Sequence, residues 1–298
     1  MSSHLTITAP AKINLVLRVV GSRPDGYHDL VMVMEKLALA DAITLTTIPS
    51  GIELAIDGQR DQGMEAEKNL AWRAGALFKK TTGDERGVRI ALTKRVPVAA
   101  GLGGGSSDAA AVIKGLNRLW ERGLSNNELA VMGVKLGADV PFFCYDGSAL
   151  VEGIGDRVTP IANLPKLYIL LINPGFAVPT PWVYQEWDKQ QVQGAGCKVQ
   201  EKQVLGLTVE KSDAKAPRLF EAFQDVTAHL ANDLEPVTMA AYPQVSAIKK
   251  YLLDAGAEGA LMSGSGPTVF GLFSSKDMRD RAAAGVTSKD WKVFATEN

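Results

Sequence analysis

The stretch with the clearest chemical meaning is "PVAAGLGGGSSDAA", which runs from Pro97 to Ala110. It places four glycines and two serines directly before a run of apolar residues at helical spacing. Each ordered glycine costs up to about 1 kcal/mol relative to alanine, so this position requires bare backbone. A loop of small residues before a helix offers unpaired N–H groups and the positive end of the helix dipole. The pattern therefore predicts an anion site with polyphosphate as its usual occupant; the alternative is a strand-to-helix turn that binds nothing.

Three common nucleotide-binding signatures do not fit this loop. A Walker loop needs a lysine after its glycines, and none follows here. A dinucleotide fingerprint needs a third glycine where Ser106 stands. The stretch "YHDL", beginning at Tyr27, lacks the His-Arg-Asp and downstream Asn pattern of protein kinases. These three common classes of nucleotide-binding protein therefore do not account for the loop.

Three blocks of sequence together resemble the GHMP kinases, the superfamily of galactokinase, homoserine kinase and mevalonate kinase. "PVAAGLGGGSSDAA" is similar to the phosphate loop of that superfamily, "APAKINL" (Ala9–Leu15) to its first motif and "LMSGSGPTVF" (Leu261–Phe270) to its third. The blocks occur in the family's order and span almost the whole chain. The resemblance implies an α+β fold of two domains, 1–158 and 159–298, with the active site in the cleft between them.

The resemblance also implies which residues contact ATP, the phosphoryl donor, bound together with Mg²⁺ as a substrate complex. These are Pro97, Val98, Ala99, Ala100, Gly101, Leu102, Gly103, Gly104, Gly105, Ser106 and Ser107. The two serines can cap the following helix or donate a hydroxyl to phosphate or Mg²⁺. A side chain at Gly104 is expected to occupy the place of a phosphate oxygen. No tightly bound cofactor and no protein-held metal is expected.

Two charged residues are implied to carry the catalysis. "LTITAPAKINLVLRVV" alternates as a strand does, which puts Lys12 and Asn14 on the face away from the core. Asp139 lies in a turn of small residues ahead of Pro141. The resemblance makes Asp139 the base that accepts the alcohol proton and Lys12 the cation beside the developing charge. By their sequence context alone, the two would be a solvated lysine and a turn residue.

"RPDGYHDL" (Arg23–Leu30) and "LGADVPFF" (Leu136–Phe143) narrow the resemblance to the branch that acts on a cytidine diphosphate sugar alcohol. In that branch an aromatic ring and a hydrogen-bonding group read the cytosine. The residues implied to bind the substrate are Asn14, Tyr27, His28, Thr180 and Tyr184, with Tyr184 expected to stack opposite Tyr27 and with Trp182 as the competing aromatic residue. Ser263, Gly264, Ser265 and Gly266 are implied to support the phosphate loop.

Two alternatives stay open on these residues. Another small-molecule kinase of the superfamily, such as a mevalonate or homoserine kinase, would share the phosphate loop and differ in the acceptor pocket. A non-catalytic nucleotide-binding sensor would be expected to lack the lysine–aspartate pair, and this chain has both Lys12 and Asp139. A panel of substrates separates the first alternative from the reading above.

Composition bounds the remaining possibilities. The 298 residues are 46% hydrophobic and 22% charged, which is typical of a globular protein. A net charge of -1 argues against broad binding to nucleic acid or to an acidic membrane surface. Two cysteines, Cys144 and Cys197, are too few for a disulfide framework. We expect a cytoplasmic protein, monomeric or weakly dimeric, that acts on small molecules.

Local signals predict several of the elements that position the site. Asn69 is expected to cap a helix that reaches about Lys80 and stops at Gly83, and Ser125 with Glu128 forms a capping box for another helix. "LYILLI" predicts a strand over 167–172. Residues 189–216 are rich in Gln, Lys and Gly, and we interpret them as a surface insertion.

Overall fold

The structure is a computed structural model that describes residues 3–57, 59–61, 64–162, 164–193 and 219–298. The strands in these residues are β1 (His4–Ser22), β2 (His28–Ile48), β3 (Ile52–Ile56), β4 (Gln59–Asp61), β5 (Gly87–Thr93), β6 (Ala149–Gly153), β7 (Arg157–Pro160), β8 (Tyr168–Asn173), β9 (Ala231–Asn232), β10 (Gly259–Met262), β11 (Val269–Phe273) and β12 (Lys292–Glu297). The helices are α1 (Met64–Lys68), α2 (Leu70–Thr82), α3 (Gly104–Leu119), α4 (Asn126–Val134), α5 (Val140–Cys144), α6 (Thr180–Gln193), α7 (Phe223–Ala228), α8 (Glu235–Ala241), α9 (Pro243–Asp254) and α10 (Lys276–Ala284).

The strands form two sheets. The larger sheet runs in the order β4-β3-β5-β2-β1-β9, and β6 and β7 extend it from β2. The smaller sheet runs in the order β10-β11-β8-β12. The mixture of sheets and helices confirms the predicted α+β class. The boundary at 158/159 remains a prediction, since β7 spans that position and β9, from the second half of the chain, pairs with β1.

The two halves of the chain meet along β1. The short strand β9 pairs with β1 in parallel. Directly after β9, the backbone N–H of Asp233 donates to the carbonyl of Leu17 at 3.0 Å. The Asp233 carboxylate accepts from the guanidinium of Arg18 at 2.7 Å and from the N–H of Val19 at 2.9 Å. One carboxylate thus anchors the second half of the chain to the strand that carries Lys12.

The alternation of β1 is not continuous. Unbroken alternation would put Ile13, Leu15, Leu17 and Val19 on one face. Instead, Ile13 and Leu15 pack in one apolar cluster and Leu17 and Val19 in the other. The register of β1 with β2 shifts immediately after Asn14. Because side chains alternate with a period of two, one extra residue moves all later side chains to the opposite face. The strand therefore contributes to both cores, one on each side of the sheet.

The local capping signals are confirmed. The Asn69 side chain accepts from the N–H of Ala71 at 2.9 Å, and α2 ends at Gly83 in the left-handed conformation, with φ +66°. Ser125 and Glu128 form the predicted reciprocal capping box on α4. The strand predicted at 167–172 is β8.

Two expectations need correction or lie partly beyond the described residues. The N-cap of α3 is Gly103, which has φ +68° and offers no side chain, so neither Ser106 nor Ser107 caps the helix. Both serines lie in the first turn instead. Helix α6 continues through the first five residues of the predicted insertion, as far as Gln193, and the rest of that insertion lies outside the described residues.

No helix in the described ranges is both long enough and apolar enough to cross a membrane.

Candidate active site

The glycine loop needs bare backbone because other parts of the protein approach it closely. Gly101 has φ +77°, and a Cβ built there would lie 2.2 Å from the carbonyl oxygen of Ser263. A Cβ at Gly103 would lie 2.9 Å from Cγ of Lys12 and 3.0 Å from Cζ of Phe143. Side chains at these two positions would separate the loop from the third motif and from the lysine. Glycine is required here by chain packing, whatever the loop binds.

Gly104 faces a different direction from the one expected. A Cβ at Gly104 would lie 3.0 Å from Cγ1 of Val96 and 3.5 Å from Nζ of Lys94. Those atoms belong to the segment that follows β5, so a larger side chain would strain this packing. The expectation that it would chiefly displace a phosphate oxygen is therefore not supported by the geometry.

The third motif lies directly against the phosphate loop. The Ser263 hydroxyl donates to the Gly101 carbonyl at 3.0 Å, although the two residues lie far apart in the sequence. The side-chain amide of Asn232 donates to the carbonyls of Met262 and Gly264 at 2.8 Å each and so fixes this second loop. The structure thus places the Ser263–Gly266 segment beside the glycine loop, where loop support requires it.

Lys12 and Asp139 are brought together by β1 and by the turn before α5. Their charged atoms, Nζ and Oδ2, are 3.7 Å apart. Lys12 also donates to Oδ1 of Asn14 at 2.5 Å, and the N–H of Lys12 donates to the Leu102 carbonyl of the glycine loop at 2.9 Å. The ammonium group is therefore held between the phosphate loop, the aspartate and the asparagine.

The environment of Lys12 differs from the expectation that it projects away from the core. Lys12 is 4% exposed and Asn14 is 1% exposed, because α3, α5 and the third motif cover this face of β1. A charge taken out of water is costly unless it is paired, so burial favours a close carboxylate partner. In such a site a fixed cation acts on nearby negative charge more strongly than it would in water.

Asp139 is available for chemistry because its own helix does not use it. It occupies the N-cap position of α5, yet its side chain accepts no capping hydrogen bond. The pKa of Tyr184 is raised above its ordinary range, first by burial and second by the negative charge of Asp139. The negative charge of Asp139 therefore acts on the Tyr184 hydroxyl of α6.

An aromatic cluster built on α6 and the start of β2 forms the next part of the site. The His28 ring stacks on Tyr184 with centroids 4.7 Å apart and planes at 25°, and the Trp187 ring meets it edge-on at 5.8 Å. His28 Nε2 lies 2.9 Å from Oδ1 of Asp188, which also accepts from the Ser22 hydroxyl at 2.9 Å. Since residues four apart share a helix face, α6 directs Tyr184 and Asp188 to the same side.

Trp187 and Asp188 did not emerge from the sequence. The signal for Asp188 is the spacing of Thr180, Tyr184 and Asp188 at intervals of four, which is visible only once the helix is known to begin at Thr180. Thr180 itself meets the third motif, since its hydroxyl lies 2.7 Å from that of Ser265. Helix α6 therefore contacts the third motif through Thr180 and carries Tyr184 and Asp188 further along the same helix.

Tyr27 stands apart from the cluster. It is 56% exposed, at the end of the Pro-Asp-Gly turn, where its N–H donates to the Asp25 carboxylate at 3.1 Å. Trp182 packs edge-on against Tyr242, with centroids 5.7 Å apart, and thus belongs to another aromatic contact. Of the two competing residues, Tyr184 is the one that meets His28. A stack of Tyr27 and Tyr184 around a base remains a prediction, because one face of Tyr184 is covered by His28 here.

Lys94, Asp41 and Asp108 form a cluster of charges, the Lys94 cluster, next to the start of the glycine loop. Lys94 Nζ lies 2.5 Å from a carboxylate oxygen of Asp41 and 2.8 Å from one of Asp108 on α3. Asp41 also accepts from the N–H groups of Arg95, at 2.5 Å, and Val96, at 2.8 Å. Burial raises the pKa of Asp108 to about 7, against the opposing effect of Lys94. The cluster ties the end of β5 and the start of the loop to the helix that follows the loop.

Among the described residues, no group of three or more His, Cys, Asp or Glu side chains is arranged to hold a metal ion.

Comparison with known proteins identifies the superfamily. Residues 69–147 match the family described as "GHMP kinases N terminal domain", and residues 213–292 match "GHMP kinases C terminal". A crystal structure of a homoserine kinase from Cytophaga hutchinsonii has a TM-score of 0.71 at 21% identity and covers 99% of this chain and 95% of its own. At that identity the likeness shows the fold alone. It confirms the two-domain GHMP kinase fold predicted from the three motifs.

More similar proteins define the branch. The chain is 47% identical to a 4-diphosphocytidyl-2-C-methyl-D-erythritol kinase of Geobacter metallireducens over 98% of this chain and 97% of that one. It is 45% identical to the protein of that name from Pelobacter propionicus, covering 98% of each chain. A crystal structure of 4-(cytidine 5'-diphospho)-2C-methyl-D-erythritol kinase has a TM-score of 0.76 at 34% identity, again covering 98% of each chain. The chain therefore belongs to the GHMP kinases and, within them, to the 4-diphosphocytidyl-2-C-methyl-D-erythritol kinase family.

Proposed function

We propose that this protein transfers the γ-phosphoryl group of ATP to the 2-hydroxyl of 4-diphosphocytidyl-2-C-methyl-D-erythritol. The products are the 2-phosphate and ADP, in the non-mevalonate route to isoprenoid precursors. The observation that carries the proposal is the pair formed by buried Lys12 and half-buried Asp139, 3.7 Å apart, with Lys12 packed against the glycine loop. Family membership over nearly the whole chain supports the choice of substrate.

The phosphate loop supplies the donor half of the reaction. Phosphoryl transfer asks a protein chiefly to position its reactants and to stabilise the charge on the transferring oxygens. The N–H groups before and within the first turn of α3 bind the phosphates of ATP, which enters with Mg²⁺ as part of the substrate. The Ser263 hydroxyl and the Lys94 cluster hold this loop from opposite sides.

Asp139 and Lys12 supply the acceptor half. The oxygen of the substrate 2-hydroxyl bonds to the γ-phosphorus of ATP, and the bond from that phosphorus to the oxygen of the leaving ADP breaks. The Asp139 carboxylate accepts the proton that the 2-hydroxyl loses. Lys12 stabilises the negative charge that develops on the attacking oxygen, and its burial strengthens that effect. Asn14 holds the ammonium group in place through its 2.5 Å hydrogen bond, and its contact with the substrate hydroxyls remains a prediction.

The cytidine half of the substrate is proposed to bind at the aromatic cluster. His28 presents a ring edge whose orientation is set by Asp188, and the exposed Tyr27 ring is free to stack on a base. Thr180, at the start of α6, is proposed to contact the diphosphate. Binding energy from this remote part of the molecule holds the reacting hydroxyl in line, so substrates without the cytidine should react poorly.

The proposal is tested by ADP release, coupled to a reporter enzyme, with three acceptors. These are the full cytidylyl substrate, the 2-C-methyl-D-erythritol phosphate that lacks the cytidylyl group, and mevalonate. Only the first should be phosphorylated efficiently. Efficient turnover of mevalonate or of the short phosphate would contradict the acceptor assignment and leave a generic GHMP small-molecule kinase.

The catalytic role of Asp139 has its own test. Asp139→Asn should lower turnover by at least about 100-fold, the scale on which a general base contributes, while ATP binding is kept. Asp254→Asn is the matched control, since Asp254 forms an exposed pair with Lys250 on α9. If Asp139→Asn turned over nearly as fast as this control, Asp139 would be an orienting group and not the base.

A further inference from the structure

A cavity is lined by one face of α3 and by Phe143 of α5. It has a volume of about 220 Å³ and is bounded by α3, by β1, by Lys36 on β2 and by the segment that follows α5. Its α3 wall consists of four residues spaced along one helix face, Ser107, Ala111, Lys114 and Arg118. The Lys94 cluster and the start of α2 lie near other faces of α3, as the neighbours of Gly104 and Gly105 show.

The cavity concentrates positive charge. Lys36, Lys114 and Arg118 line it together with a single acidic residue, Asp146. Lys114 is paired with Asp146 at 3.1 Å, and the pKa of Asp146 is lowered first by Lys114 and then by Lys36 and Arg118. All three cations therefore act on one carboxylate, and that carboxylate is largely exposed to solvent.

The cations are not fully compensated. Burial and then the positive charge of Lys114 lower the pKa of Lys36 to about 8. The Lys36 ammonium donates to the backbone carbonyl of Tyr145 and lies 4.9 Å from the centroid of the Phe142 ring. Those partners carry no negative charge, and like charges in a partly buried site repel each other. An anion in the cavity would relieve this repulsion.

A buried polar group lies on the same wall. The Ser107 hydroxyl has no hydrogen-bond partner and is fully enclosed, although Ser107 is part of the helix face that lines the cavity. Buried hydroxyl groups without a hydrogen-bond partner are uncommon, because such a group has lost its bonds to water without replacing them. A small rotation of this side chain toward the cavity would let it donate to an anion held by the three cations.

We propose that this cavity binds a phosphoryl anion, separate from the phosphates of ATP. Its volume of about 220 Å³ suits a phosphate, a small phosphomonoester or a diphosphate. Lys and Arg donors give such anions charge-assisted hydrogen bonds. The proposal does not depend on which acceptor the kinase uses.

The position of the cavity connects it to both halves of the reaction. Ser107 lies in the first turn of α3, directly after the glycine loop. Phe143 belongs to both sites, because its ring lines the cavity and its Cζ lies 3.0 Å from a Cβ built on Gly103. An anion bound here would touch the helix that holds ATP and the short helix α5 whose N-cap is Asp139. Its presence should therefore alter the apparent KM for ATP or the turnover.

The test measures binding of inorganic phosphate, pyrophosphate and methyl phosphate by titration calorimetry, with the ATP site saturated by a non-hydrolysable ATP analogue. The variants are Lys114→Gln and Arg118→Gln, and the control is Lys135→Gln, which removes an exposed cation beyond α4. The wild type and the control should bind at least one anion, and each cavity variant should weaken that binding at least about tenfold. The anion that binds most tightly shows whether the cavity prefers free phosphate, a diphosphate or a phosphomonoester.

Two results would overturn the proposal. One is the absence of binding by all three anions when the ATP site is filled. The other is binding that the cavity variants weaken no more than Lys135→Gln does. Circular dichroism shows whether each variant is folded. Arg118→Gln is expected to fold like the wild type, because Arg118 is exposed. With the analogue omitted, an effect of the bound anion on the KM for ATP provides an independent readout by steady-state kinetics.

Discussion

Gly101→Ala should damage both stability and ATP binding, because the new methyl group would collide with backbone. The Cβ would lie 2.2 Å from the Ser263 carbonyl oxygen and 3.0 Å from that of Gly266, and no side-chain rotation can relieve either contact. The two loops would have to separate, which removes the 3.0 Å bond from the Ser263 hydroxyl to Gly101. The phosphate loop would then lose its support.

The magnitude follows from two costs. Alanine at φ +77° costs about 1–2 kcal/mol relative to glycine. Leaving a buried hydrogen-bonding group without its partner costs about 1–3 kcal/mol more. The free energy of unfolding should therefore fall by about 2–5 kcal/mol. For a chain of 298 residues, with an entropy of unfolding of about 0.6 kcal/mol/K, that lowers the melting temperature by roughly 3–8 °C.

Thermal unfolding and the KM for ATP measure the two effects, and Gly105→Ala is the matched control. A Cβ at Gly105 would meet only Leu70, at 3.4 Å, and the residue has helical backbone. That variant should be as stable as the wild type or more stable by up to about 1 kcal/mol. If Gly101→Ala melted within about 1 °C of Gly105→Ala (about 0.6 kcal/mol) with an unchanged KM for ATP, the contact between the two loops would not matter.

Three further variants test the acceptor side and the electrostatics. Tyr27→Ala should raise the KM for the cytidylyl substrate by roughly 5- to 150-fold without affecting ATP, since base stacking contributes about 1–3 kcal/mol; an unchanged KM would exclude stacking. Asp188→Asn should raise the KM for the cytidylyl substrate several-fold with kcat nearly unchanged, because the amide no longer fixes which nitrogen of His28 carries the proton. Steady-state kinetics measure both constants. A variant with lowered kcat and unchanged KM would contradict a binding role for this pair. Burial raises the pKa of Glu35 to about 7, so its folded form binds more protons than its unfolded form, and the stability it contributes is lost as pH rises from about 4.5 to 7. Glu35→Gln should consequently gain stability relative to the wild type over that interval in urea unfolding, and a constant difference would refute the assignment.

The sequence by itself determined the local structure and the family. Asn69, Ser125 and Glu128 act on backbone groups only a few residues away, so their helix caps could be predicted from spacing alone. The three motifs, in their order along the chain, predicted a GHMP kinase. The matches of residues 69–147 and 213–292 to the GHMP kinase family models confirmed that prediction. The chemistry implied for Lys12 and Asp139 likewise rested on resemblance to that family.

Tertiary structure alone decided the environment of each functional residue. The register shift after Asn14 sends β1 into both cores, and no local signal marks a single unpaired residue. Lys12 is buried because segments from three distant parts of the chain cover it, and period-two alternation carries no information about them. The need for glycine at 101 likewise comes from Ser263, and His28 is held by Asp188, 160 positions later. Burial, close approach and pairing of charges depend on which distant segments meet, and that is settled only when the chain has folded.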